Sequence, residues 1–124
     1  MKITDRSTAR HYQRDNITSY LLAAEEASGA KHITTSLVEM AKGGKQHMHS
    51  LEAEQCHFIL EGREFMTVGN ETWEVTAGMS VFIPSNTPHG LVSTTEPLRY
   101  LSAGSPPFGR DNEIKPKETV VRFY

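Results

Sequence analysis

Apolar and polar residues alternate with a period of two through much of this chain, in short runs punctuated by glycine, proline and asparagine. That spacing predicts half-buried β-strands. HITTSLVEM (32–40) is rich in β-branched residues and predicts a strand that ends at Gly43-Gly44. QCHFIL (55–60) predicts another, stopped at Glu61-Gly62. REFMTV (63–68) and ETWEVT (71–76) flank Gly69-Asn70, two residues that tolerate positive φ, and so predict a hairpin. The apolar MSVFIP (79–84) reads as a buried strand, PSNTP (84–88) turns it into HGLVS (89–93), and LRYLSA (98–103) supplies one more. ITSYLL (17–22) suits a strand, although SYLLAAEEA would also suit a short helix; a strand is the expectation. Residues 1–16 predict an irregular arm, SPPFGRDNEIKPK (105–117) a loop outside any central sheet, and ETVVRFY (118–124) a closing strand. Short strands recurring every ~8–12 residues predict an all-β sandwich or barrel.

Length limits this to one domain, because 124 residues supply one core and not two. The expected division is an arm over 1–16 and a single barrel over 17–124. Hydrophobic content of 37%, charged content of 23% and a mean hydropathy of −0.47 are ordinary for a globular protein. No apolar run approaches the ~20 residues of a membrane span. MKITDRSTAR is polar and lacks the apolar core of a signal peptide, so no membrane partner and a cytoplasmic location are expected. A formal net charge of −2 without a cluster of Lys and Arg excludes a phosphate track for nucleic acid. The lone Cys56 cannot make an internal disulfide and reads as a small buried residue. Phe65, Met66, Trp73 and Phe82 read as barrel filling, and Glu25-Glu26 as part of a solvated loop.

Chemistry enters with HMHSLEAEQCHFILEG (47–62). In a regular strand residues i and i+2 share a face, so His47 and His49 can converge on one ion, which a helix would not allow. His89, at the end of the second punctuated stretch, is a third imidazole. His11 and His32 have no partners at ligand spacing and read as structural or surface residues.

The order of these elements and motifs resembles the cupin family of small double-stranded β-helix, or jelly-roll, barrels. The resemblance spans 33–105 and rests on two motifs, G-x5-H-x-H-x(3,4)-E-x6-G and G-x5-P-x-G-x2-H-x3-N. The second is met by Gly78, Pro84, Asn86 in the glycine slot, His89, and Ser93 in the asparagine slot. Asn in place of Gly is reasonable because Asn also visits the left-handed region. The first motif departs from its pattern: Ala41 stands where a glycine is usual, and the carboxylate is displaced. Counting forward from His49 reaches Glu54, whereas counting back from Gly62 reaches Gln55. Strand period is rigid and the intervening loop can absorb an insertion, so Gln55 is the expected fourth ligand and Glu54 the alternative. With Gln55 inward, His57 and Ile59 follow it, and Cys56 and Phe58 face away.

The resemblance therefore implies one divalent transition metal held by His47, His49, Gln55 and His89. Three imidazoles and an amide oxygen suit Fe, Mn, Co, Ni, Cu or Zn, and are too rich in nitrogen for Ca²⁺ or Mg²⁺. A neutral donor set leaves the ion its full charge and makes it a stronger Lewis acid. Cupins include dioxygenases, isomerases, lyases and non-enzymatic sensors. The expected function is a metal-dependent enzyme acting on a small oxygenated organic molecule, with a non-catalytic metal- or ligand-binding module as the alternative. His57 is the candidate general acid or base; Tyr100 and Arg99 are candidates for holding an anionic substrate. A two-fold homodimer is expected, since cupins commonly pair and the strand over 17–22 would otherwise leave an open sheet edge.

Overall fold

The structure, a computed structural model, describes residues 1–91 and 96–107. Among them are β1 (His11–Arg14), β2 (Ile17–Ala23), α1 (Glu25–Ser28), β3 (Thr34–Met40), β4 (Gln46–His49) and β5 (Glu54–Glu61). β6 (Arg63–Val68), β7 (Glu71–Thr76), β8 (Ser80–Ile83), β9 (His89–Leu91) and β10 (Leu98–Ser105) complete them. Two antiparallel sheets form, one six-stranded in the order β1-β2-β3-β10-β5-β8 and one four-stranded in the order β4-β9-β6-β7. This is the all-β architecture the alternating pattern predicts, in the jelly-roll barrel form the cupin resemblance implies. The strand predicted over 118–124 and the slot filled by Ser93 lie outside the described residues. No helix among the described residues is long and apolar enough to cross a membrane.

Period two is what positions the interior. Along β10, Leu98, Tyr100 and Ser102 point inward, and along β5 the inward residues are Gln55, His57 and Ile59. Ile17, Val38, Met40, Ile59, Leu98 and Tyr100 fill one end with apolar side chains. Burying an aliphatic side chain of this size stabilises by about 1.5–3 kcal/mol relative to leaving it exposed. The other end carries buried polar side chains, Thr34, Ser36, Gln55, His57 and Ser102, each at most 3% exposed, with Ile83 opposite Gln55. Cross-strand pairs explain the grouping, since Ser102 stands opposite both Ser36 and His57, and Gly104 opposite both Thr34 and Gln55.

Three local expectations are corrected. Residues 1–16 are not wholly irregular, because β1 pairs with β2 around Asp15-Asn16, both at positive φ (50° and 67°). Asp and Asn tolerate that conformation, so a tight hairpin turn forms without glycine. The open edge of the six-stranded sheet on this side is consequently β1 and not β2. Glu25 and Glu26 begin α1 instead of lying in a loop, and Glu26 pairs with Arg10.

An ionic cluster decorates the outer face of this sheet. Arg6 grips Glu39 through two hydrogen bonds of 2.7 and 2.8 Å and lies over the Tyr20 ring at 4.5 Å. Those hydrogen bonds hold the Glu39 carboxyl below the usual carboxylate range, against the opposing effect of its partial burial. Arg99 joins the cluster by contacts to Glu39 (3.2 Å) and Glu61 (2.8 Å). It therefore faces away from the barrel interior and cannot hold an anionic substrate there. Tyr100, one residue on, is the inward member of that pair.

Candidate metal and ligand site

Three candidate ligands meet inside the polar end. His49 on β4 stands directly opposite His89 on β9, with ring centroids 4.3 Å apart. Gln55 on β5 reaches across from the other sheet, its Nε2 lying 3.4 Å from His89 Nε2. Its Oε1 lies 3.4 Å from His57 Nε2. The His57 ring stacks on Tyr100 with centroids 4.6 Å apart. Tyr100 Oη in turn is 3.4 Å from Gln46 Nε2. These distances are long for hydrogen bonds and describe a loosely linked row, Tyr100–His57–Gln55–His89.

Backbone carbonyls fix how the two facing imidazoles present themselves. His49 Nδ1 is 2.8 Å from the His47 carbonyl oxygen, and His89 Nδ1 is 3.0 Å from that of Thr87. Each Nδ1 must carry its proton to donate there, so each Nε2 carries the lone pair. Metal-ligating histidines are usually held this way, with the second ring nitrogen bonded to a carbonyl or carboxylate. The donor types thus fit a first-row ion: two Nε2 atoms and, once the Gln55 amide turns over from the orientation that sets its Nε2 beside His89, one amide oxygen. Among the described residues no group of three or more His, Cys, Asp or Glu side chains is arranged to hold one.

Burial keeps this pair neutral. The His49 pKa is pushed down to about 3, chiefly by desolvation and secondly by the charge His89 would carry, with the His47 carbonyl pulling the other way. Burial also lowers that of His89. A histidine depressed in the folded state contributes stability that is fully present above its unfolded pKa near 6.5 and is lost as pH falls. The metal-free protein is therefore expected to lose about 1–2 kcal/mol of unfolding free energy between pH 7 and pH 5. Urea midpoints for wild type and His49→Gln measure this; an equally steep decline in the variant would rule His49 out as the source.

His47 is not brought into this group. The β4 ladder is irregular between Gln46, which pairs with Leu91, and His49, which pairs with His89. This β-bulge breaks the period-two assumption on which pairing His47 with His49 rests. Gln46 is instead the buried residue at 1% exposure, and His47 and Met48 are both exposed. Gly90 makes room for the bulge, since a Cβ there would lie 2.9 Å from the Gln46 carbonyl oxygen and 3.1 Å from His47 C and Met48 N. On β5 the alternation is regular: Gln55 is buried and Glu54 exposed. Asn86 adopts φ 57°, the left-handed conformation its glycine slot demands.

A groove of about 740 Å³ opens where the free edges of β7 and β8 face each other. Met66, Val68, Trp73, Val75 and Val81 form much of its wall. None of the histidines lines it, but two of its wall residues are strand partners of histidines, Val68 of His89 and Val81 of His57. Of the four side chains read as barrel filling, only Met66 is in the core. Trp73 is 70% exposed, Phe82 58% and Phe65 52%. Trp73 and Phe82 line the groove instead, a placement alternation alone cannot give, because it depends on whether a second sheet covers the strand.

The family model described as "Cupin domain" matches residues 36–104. An uncharacterized protein of Methanocaldococcus jannaschii is 37% identical over 89 residues, covering 68% of this chain and 71% of that protein. Among solved structures, the polyketide cyclase RemF from Streptomyces resistomycificus is 25% identical, covers 97% of each chain and has a TM-score of 0.72. KdgF from Halomonas sp. is similar in fold, with a TM-score of 0.74 at 15% identity over 87% of this chain and 94% of its own.

Proposed function

Since the chain belongs to the cupin family, we propose that it is a metal-dependent enzyme acting on a small oxygenated organic molecule. His49, His89 and Gln55 would hold one divalent first-row ion, which supplies Lewis-acid character to an oxygen of the substrate. The observation that carries this is the pair of facing imidazoles, each held by its Nδ1 to a backbone carbonyl, next to a groove whose wall residue Val68 is the strand partner of His89. His57 Nε2, 3.4 Å from Gln55 Oε1, would give or take a proton beside the reacting atom. Stacking on His57 makes Tyr100 a positioning residue and not a substrate anion's partner. The open groove favours an enzyme over a barrel that has kept only its fold, because Trp73 and Phe82 leave the groove unfilled. RemF, an enzyme by its name, matches along nearly the whole of both chains.

A non-catalytic ligand-binding module is the second reading, favoured by the groove's largely apolar wall. Turnover separates the two, and within the enzyme reading O₂ uptake with Fe²⁺ marks a dioxygenase, whereas anaerobic activity with Zn²⁺ marks an isomerase or lyase. A two-fold homodimer through the six-stranded sheet belongs to the same proposal, with β1 at the free edge.

Metal affinity tests the ligand set directly. Gln55→Ala is expected to weaken binding of Zn²⁺ or Fe²⁺ by at least about tenfold, while Glu54→Ala leaves it within about threefold. The reverse order, measured by competition with a chromophoric chelator, would move the ligand to the exposed position.

A further inference from the structure

Resting on the assignment of His49 and His89 to the reactive end, we propose that the β7–β8 groove takes a flat apolar group that is neutral or positively charged, and rejects carboxylates. Register fixes what faces the ligand. Directly opposed residues of an antiparallel pair share a face, and the β6–β7 pairs are Val68 with Glu71 and Met66 with Trp73. The indole and the Glu71 carboxylate therefore stand on the inner face of their sheet. Met66 is covered there at 3% exposure, while Trp73 beside it is 70% exposed. The six-stranded sheet ends at β8 and leaves the β7 side of this face open. Phe82 pairs with Cys56 on the outer face and forms a lip.

Charge narrows the ligand further. Among the described residues no Lys or Arg lines the groove, whereas Glu71 and Glu74 do. Glu74 faces the other way, paired with Phe65, and is 3.6 Å from Arg63, so of the two lining carboxylates Glu71 is the one that faces the ligand. Arg99, the cation closest in sequence to the interior residue Tyr100, is tied to Glu39 and Glu61 outside the barrel. An indole face beside a carboxylate attracts organic cations and accepts neutral rings, and it repels anions. The volume suits a ligand of two or more fused rings, since small-molecule pockets span about 300–1,000 Å³.

Trp73 is the chain's one tryptophan, so a single indole N–H resonance reports on the groove. We would titrate 2-naphthol, N-methylquinolinium and 2-naphthoate into the ¹⁵N-labelled protein, both zinc-loaded and after chelation. In the chelated protein the first two are expected to shift the indole peak saturably, with 2-naphthoate at least about tenfold weaker at low salt. Glu71→Gln should narrow that gap and Glu71→Lys should reverse it. Naphthoate binding as tightly as naphthol, a gap untouched by the Glu71 variants, or no saturable shift with any probe would each overturn the proposal. So would an indole peak that moves on dilution alone, which would place a second copy of the chain in the groove. Because the chelated protein carries no ion, failure here is distinct from failure of the ligand set, which metal affinity reads separately.

Discussion

Alanine at position 62 is expected to destabilise the protein by more than about 3 kcal/mol, beyond what most single substitutions cost. Gly62 joins β5 to β6 at φ +98°, where an L side chain is already strained. A Cβ there would sit 2.3 Å from the Pro97 carbonyl oxygen and 3.0 Å from Leu98 Cα. Both obstacles are backbone, so neither can swing aside. Relief would push the start of β10 outward and lift Leu98, which is fully buried. Gly43 is the control, with φ +86° and nothing within 4 Å of its added Cβ; Gly43→Ala should show only the conformational penalty of about 1–2 kcal/mol. Urea midpoints of the two variants make the comparison. Equal losses would mean that the approach of Pro97 is looser than described.

Removing either inner imidazole should have the largest functional effect. His89→Ala and His49→Ala are expected to lower affinity for Zn²⁺ by more than the roughly 10–100-fold that follows loss of an orienting partner. His47→Ala is expected to change it by no more than about threefold, because the bulge in β4 leaves that ring exposed beside Met48. Circular dichroism should show a folded β-protein in all three. An His47 variant as impaired as the His89 variant would mean that β4 adopts regular alternation when an ion is bound, returning the ligand set to the one the H-x-H spacing implies.

Where the sequence misleads, a particular physical reason can be named. Strands from Thr34 onward were legible because their period is two and their turns are written in Gly, Pro and Asn. β1 was hidden because HYQR has four polar or aromatic residues and no aliphatic one, its core contact coming from Tyr12, although Asp15-Asn16 was a usable turn signal. The inward placement of Gln55, His57 and Ile59 followed from counting along a regular strand. The same counting failed on β4, since one extra residue reverses parity and nothing in QHMH announces it. Its enabling partner, Gly90, lies more than forty residues away in the chain, across a pairing that only the fold reveals. Trp73 and Phe82 were misassigned for a related reason: a strand's pattern says which residues share a side, not whether that side is roofed.

The interior's change of character along its axis separates two kinds of constraint. Ile17, Met40, Ile59 and Leu98 pack together at one end, while Ser36, Ser102 and Thr34 at the other are small and contribute little hydrophobic adhesion. Chemistry can therefore diverge at the polar end while the scaffold is held by the oily one. A barrel partitioned in this way can change what its polar end binds without renegotiating how it folds.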